Sequence, residues 1–266
     1  GVAWRPGLVV TAAHVFRRTP AAVTLVAAEG RRLEATLVGI DTSTDLAVFR
    51  LVDGAALAPV TVGDAGALRA GHLAIAVGRS GEGDAVASQG IVNRAAGPWQ
   101  TWLGGEVDRL IRLDGGIYDG LSGAPVADAR GQVVGIATAA LSRGYGIVVP
   151  ASTVSRVVDA LVSRGRVARP YLGIGAQSVP LPNGAERSGL LVTSLADGGP
   201  AERAGLLVGD IVVSAGGAPA GDLRMLRQAL SAHIGKTASL GLLRGGVPRD
   251  LDVEVGEWPA AERRCG

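Results

Sequence analysis

Three short segments carry residue types that can do nucleophilic chemistry together. Thr11-Ala12-Ala13-His14-Val15 places a histidine just after the apolar run Leu8-Val9-Val10. Asp41-Thr42-Ser43-Thr44-Asp45-Leu46-Ala47-Val48 brings Asp45 to the entrance of another apolar run. Gly120-Leu121-Ser122-Gly123-Ala124-Pro125 sets Ser122 in a glycine-rich loop. Taken singly, each is ordinary: a core histidine, an aspartate at a turn, a common Gly-x-Ser-Gly loop. Taken together they supply what a serine hydroxyl lacks at its free pKa, a base within hydrogen-bond reach and a carboxylate to orient that base. The chemistry would be acyl transfer.

The elements that must position these residues read as β-strands. Up to about residue 150 the chain is a series of short apolar runs broken by Gly, Asp and Pro. They include residues 8–10, 22–26, 35–38, 46–49, 73–77, 132–136 and 146–149. Each is too short for an ordinary helix and many are rich in β-branched residues, which predicts a barrel or sandwich of antiparallel strands. A parallel α/β sheet would need helical crossovers between the strands, and none is visible. Residues 151–164 differ. Val154, Val157, Val158 and Leu161 recur at helical spacing, Ser152 or Thr153 is placed to cap the start, and Gly165 stops the helix. Residues 165–170 read as a linker. From Tyr171 a second segment predicts strands at 189–194, 211–214, 238–243 and 250–255, with helices at 199–205 and 222–232. That is a small sheet with two helices, ending near residue 257 ahead of a short tail.

Composition narrows the classes. A chain of 266 residues is near the upper limit for one hydrophobic core, so two domains are expected, and 47% hydrophobic residues suffice to fill them. Lys and Arg number 26 against 24 acids, with the densest basic cluster, Arg263-Arg264, in the tail, so no basic face points to nucleic acid. The single cysteine, Cys265, excludes an intrachain disulfide and a Cys-based zinc site. His14, His72 and His233 lie far apart without metal-ligand spacing, so no metal or other cofactor is expected. No apolar stretch reaches the roughly 18 residues that span a bilayer. The first residue is Gly rather than Met, the mark of a processed or partial chain, which leaves room for a targeting or anchoring segment ahead of it.

The order His, Asp, Ser along the chain is that of chymotrypsin-type barrels. Subtilisins and α/β-hydrolases use other orders, and Ala124 stands where the hydrolase elbow needs Gly. The histidine segment, Thr44-Asp45-Leu46-Ala47-Val48, and Leu113-Asp114 through Pro125 with Gly131-Gln132-Val133-Val134-Gly135-Ile136 resemble the three motifs of the high-temperature-requirement (HtrA, or Deg) serine proteases. The resemblance runs on through the helix to Tyr171-Leu172-Gly173-Ile174. It implies a mainly β fold, a chymotrypsin-like double β-barrel over residues 1–164, and a small α+β PDZ domain over 171–257. It implies that Ser122 attacks a peptide carbonyl, His14 carries the proton and Asp45 orients His14. The backbone N–H groups of Gly120 and Ser122 would form the oxyanion hole. Gly116, Ala137, Thr138 and Ala139 would line a small neutral pocket, with cleavage after small or medium apolar residues.

For the second domain the resemblance implies that Tyr171, Leu172, Gly173 and Ile174 capture a peptide C-terminus, while Leu223, Leu226 and Leu230 wall the groove. The other reading of these leucines is that they are core. Expected partners are unfolded polypeptides and peptide C-termini, in a periplasmic or other extracytoplasmic setting. A homotrimer is expected, although the segment that carries trimer contacts in the family is mostly absent before His14. Membrane tethering would run through a segment preceding residue 1. Leu121 stands where the family usually has Asn, Asp119 where Pro is common, and Ala124 where Gly is common. A polar side chain at position 121 helps hold the oxyanion loop, and Leu cannot do so by hydrogen bonding. A collapsed loop would leave a catalytically silent chaperone or PDZ adaptor.

Overall fold

The β-branched runs at the start of the chain pair as an antiparallel sheet. A computed structural model describes every residue except 28–29, 53–56, 80–83, 116, 119, 143, 182–187 and 259–266. Strands β1 (Val2–Arg5), β2 (Leu8–Ala12), β3 (Ala22–Val26), β4 (Arg32–Asp41) and β5 (Leu46–Leu51) lie in the order β1-β2-β5-β4-β3. The chain continues through β6 (Leu73–Arg79), β7 (Ala85–Ala96), β8 (Trp99–Gln100), β9 (Glu106–Val107), β10 (Leu110–Leu113), β11 (Pro125–Ala127), β12 (Val133–Thr138) and β13 (Ile147–Pro150). Six of these close a barrel in the order β10-β13-β12-β11-β6-β7, and β8 and β9 form a separate hairpin. Closure removes the sheet edges that would otherwise expose unpaired backbone.

Helix α1 (Ala151–Arg164) follows β13 directly and packs on β12, β13, β4 and β5. Its buried stripe is the predicted one, Val154, Val157, Val158 and Leu161. Each such side chain contributes roughly 1.5–3 kcal/mol on burial. The cap differs from expectation. Pro150 occupies the N-cap without a side-chain hydrogen bond, and the Thr153 hydroxyl instead accepts from the Asp108 N–H at 2.9 Å. A buried threonine already bonded across the fold is not available to its own helix end. Gly165 ends the helix in the left-handed region, φ 69°, with its N–H on the Leu161 carbonyl.

The chain divides into two units at Val167 and Ala168. In the second, β14 (Pro170–Tyr171) pairs with β21 (Gly256–Glu257). A larger sheet runs β15 (Ile174–Pro180), β16 (Ser188–Leu195), β17 (Ile211–Ala215), β19 (Thr237–Arg244), β20 (Val247–Glu254), with β18 (Ala218–Pro219) on β17. Helix α2 (Pro200–Arg203) is one turn long. Helix α3 (Leu223–Leu230) begins at Asp222, whose carboxylate accepts the Met225 N–H at 2.7 Å. It ends two residues short of the expected span, the chain tightening into a 3-10 turn at Ser231–His233. Trp258, the first residue of the expected tail, packs edge-on against Tyr171, 5.1 Å between ring centroids.

An ion pair braces this unit. Asp210 is buried, and its two carboxylate oxygens accept from Arg244 Nε at 2.9 Å and Nη2 at 2.7 Å. Arg244 also donates to the Gly205 carbonyl, and Asp210 accepts the Leu207 N–H at 2.9 Å. The hydrogen bonds from Arg244 hold the Asp210 carboxyl below the usual carboxylate range. A depressed carboxylate stabilises the fold above its unfolded pKa and loses that contribution as pH falls through its folded pKa. Asp210→Asn is therefore expected to lower the melting temperature of this unit by roughly 5 °C at neutral pH. The gap from wild type should close as acid protonates Asp210, as read by calorimetry over a pH series.

Candidate active site

Asp45 is the last residue of the four-residue turn joining β4 to β5. Among the described residues it is the one non-glycine with positive φ, 58°. That region is costly for most side chains and least so for Asp and Asn. The turn is held from inside by Asp41, whose carboxylate accepts from Ser43 N (3.2 Å), Ser43 Oγ (2.8 Å) and Thr44 Oγ1 (2.8 Å). The left-handed kink aims the Asp45 side chain at His14, which follows β2. His14 N donates to Asp45 Oδ1 at 2.8 Å, and His14 Nδ1 lies 2.7 Å from Asp45 Oδ2. Beside a carboxylate, Nδ1 carries the proton in the neutral ring and Nε2 is left as the base. Thr138, at the end of β12, donates to Asp45 Oδ2 at 2.5 Å. The carboxylate thus receives three hydrogen bonds while only 3% exposed, a geometry that fixes its direction.

Ser122 sits in a tight turn between the loop after β10 and β11. Leu121 N donates to the Tyr118 carbonyl and Ala124 N to the Leu121 carbonyl, both at 3.0 Å. Gly123 N donates to the Ala137 carbonyl of β12 at 2.8 Å. Gly123 (φ 84°) is pressed onto β2, where an added Cβ would lie 2.6 Å from Ala12 N and closer still to Thr11 Oγ1. That contact brings the serine turn against the strand leading to His14. Ser122 Oγ accepts from Ala139 N at 3.3 Å and, among the described residues, makes no hydrogen bond to His14. Leu121 is 2% exposed, and its Cδ2 lies 2.9 Å from where a Cβ on Gly78 would stand. At Leu121 the loop is therefore anchored by packing.

The expected pocket needs correction. Ala137 is fully buried in the barrel core, and Thr138 is turned to Asp45. Alternation along β12 accounts for both: one residue faces the barrel interior and the next the opposite side. Of the expected pocket residues that are described, Ala139 is the exposed one, while Gly116 and Asp119 lie outside the described residues. The part Thr138 plays beside Asp45 escaped the sequence reading, because no local pattern marks a contact spanning 93 positions.

In the second unit, Leu226 and Leu230 belong to the hydrophobic core, while Leu223 packs against it and stays half-buried. Leu172 is buried in the same core. Tyr171, Gly173 and Ile174 flank the start of β15, an outer strand of the sheet with α3 alongside.

Residues 1–136 match the family model of the trypsin-like peptidase domain, and residues 170–255 match the PDZ domain. Fold and site together define a trypsin-like peptidase unit followed by a PDZ unit. The chain belongs to the HtrA (Deg) family of trypsin-like serine proteases. It is 32% identical over 265 residues to the "Probable periplasmic serine endoprotease DegP-like" of Rhizobium meliloti, covering 96% of this chain and 52% of that protein. It is 32% identical over 271 residues to the "Putative serine protease HhoA" of Synechocystis sp., covering 94% and 68%. Among solved structures, "HtrA-type protease AlgW with decapeptide" superposes with a TM-score of 0.82 at 29% identity, covering 96% of this chain and 80% of that one. The chain spans about half the length of the DegP-like relatives that it matches.

The hydrogen bond to Asp45 raises the His14 pKa above that of a free imidazole, with burial opposing it. A histidine that serves as general base must be unprotonated, so any hydrolysis that His14 serves should rise with pH about a midpoint above ~6.5. In Asp45→Asn the raising partner is gone. The midpoint should fall and the rate should drop by about 10⁴. A pH–rate profile of both proteins checks this.

Proposed function

We propose that this chain is a serine endopeptidase acting through Ser122, His14 and Asp45. The observation that carries the reading is the buried Asp45 carboxylate locked onto His14 Nδ1, with the Ser122 turn packed on the strand that precedes His14. Ser122 Oγ attacks the scissile carbonyl as His14 Nε2 takes its proton. The oxyanion is held by the N–H groups of Gly120 and Ser122. Collapse expels the amine, which receives the proton from His14. Water, activated by the same imidazole, then hydrolyses the acyl-enzyme. Ala139 keeps the entrance beside Ser122 small, in line with cleavage after small or medium apolar residues.

The PDZ unit supplies the binding arm. An extended segment or C-terminus of an unfolded or damaged polypeptide adds to the outer edge of β15, its end near Tyr171, Gly173 and Ile174. The names of the relatives support a periplasmic setting. Assembly as a homotrimer, and tethering to a membrane through a preceding segment, complete the reading. Among the described residues no helix is long and apolar enough to cross a bilayer.

A second reading, a catalytically silent chaperone or adaptor, draws on one observation: Ser122 Oγ rests on the Ala139 amide instead of His14. Catalytic hydrogen bonds are often long or unformed in apo sites and tighten only when substrate binds. A fluorophosphonate is expected to label Ser122 in the folded protein. Ser122→Ala should lose both labelling and casein turnover. Equal casein turnover by the two proteins, with no labelling, would leave the silent reading standing.

A further inference from the structure

We infer that the buried hydroxyl of Thr101 fixes the backbone of the turn that carries Asp45, and so acts as a positioning residue for proton transfer by His14. The inference rests on the proteolytic role proposed for Ser122, His14 and Asp45. A left-handed aspartate persists only where its surroundings over-determine it. Asp41 holds Ser43 and Thr44 from within the turn, but it is part of the same loop and can move with it. Thr101 holds the turn from outside.

Thr101 is 4% exposed and opens the loop that joins β8 to β9. Its Oγ1 donates to the Ser43 carbonyl at 2.7 Å and accepts the Gly105 N–H at 3.0 Å. The hydroxyl proton is committed to the turn, while the neighbouring hairpin backbone fixes the oxygen. That backbone is itself tight: Thr101 N donates to the Gly105 carbonyl and Gly104 N to the Thr101 carbonyl, both at 2.9 Å. Contact with the turn is close enough that a Cβ on Gly105 would lie 2.5 Å from the Ser43 carbonyl oxygen. Ser43 and Thr44 are buried at 1% and 2% exposure, so water offers no ready replacement donor. The carbonyl two residues before Asp45 is therefore pinned to a separate hairpin. Thr138 orients the Asp45 side chain; Thr101 fixes the backbone from which that side chain springs. Displacing a reacting group by about an ångström can cost on the order of a hundredfold in rate.

The test compares the full chain with Thr101→Val, which keeps the shape and removes the hydroxyl, and Thr101→Ser, which keeps the hydroxyl. A short chromogenic peptide serves as substrate, each protein being assayed well below its own melting temperature. Thr101→Val is expected to lose roughly tenfold in kcat with little change in KM. Its pH–rate midpoint should fall toward the free-imidazole value of about 6.5. Thr101→Ser should restore both. Should Thr101→Val fail to fold, Thr101→Ala carries the test, because it also removes the hydroxyl that donates to the Ser43 carbonyl; the same kinetic signature is expected. A lowered melting temperature with unchanged kcat and midpoint would reduce Thr101 to a structural residue and overturn the inference, as would failure of Thr101→Ser to rescue. Wild-type protein that neither reacts with a fluorophosphonate nor cleaves the peptide would overturn the proteolytic reading and this inference together. A wild type that does both, beside an unaffected Thr101→Val, would overturn this inference alone.

Discussion

The site depends on one buried carboxylate. Asp45 is almost fully removed from water, yet it is met by two donors from His14 and one from Thr138. A charge in that position is tolerable only if hydrogen bonds replace its lost hydration. The same bonds that satisfy it also point it. They set the tautomer of His14, leave Nε2 without a proton in the neutral ring, and raise the imidazole's affinity for a proton. Everything else near the site either places Asp45 or brings Ser122 to the result.

Two kinds of force do that placing. Around Asp45 the work is polar: Asp41 gathers the hydroxyls of its own turn, and the β8–β9 hairpin grips the Ser43 carbonyl. Around Ser122 it is packing. Gly123 admits β2 against the serine turn, and Leu121 fills the space over Gly78. A polar residue at position 121 would hold the loop by direction. A leucine holds it by volume, which fixes location well and orientation less strictly. The contact between Ser122 Oγ and the Ala139 amide fits a loop anchored in that manner.

Much of this was legible in the sequence because its signals are local. The run Ala22–Val26 and the helix Ala151–Arg164 could be read to the residue, one as a short run rich in β-branched residues and the other from a valine stripe. His14, Asp45 and Ser122 stood out through residue type, order and flanking motif. Strand β7, Ala85–Ala96, was not visible, because its Ala, Ser, Gln and Gly carry little strand preference and it forms by pairing with β6 and β10. Thr138 and Thr101 were hidden for a related reason. Their contacts span 93 and 58 positions, and a threonine in a strand or hairpin gives no sign of what its hydroxyl meets. Leu226 and Leu230 were visible as a stripe, but periodicity cannot separate a core face from a binding groove.

Proton transfer at this site depends most directly on the state of His14. In Ser122→Ala, nitrogen-resolved NMR of the His14 ring through its titration reads tautomer and pKa without any catalytic step. The geometry predicts a proton on Nδ1 with a low-field, hydrogen-bonded resonance, and a pKa above that of free histidine. A neutral ring protonated on Nε2, or a pKa at or below the free value, would contradict it.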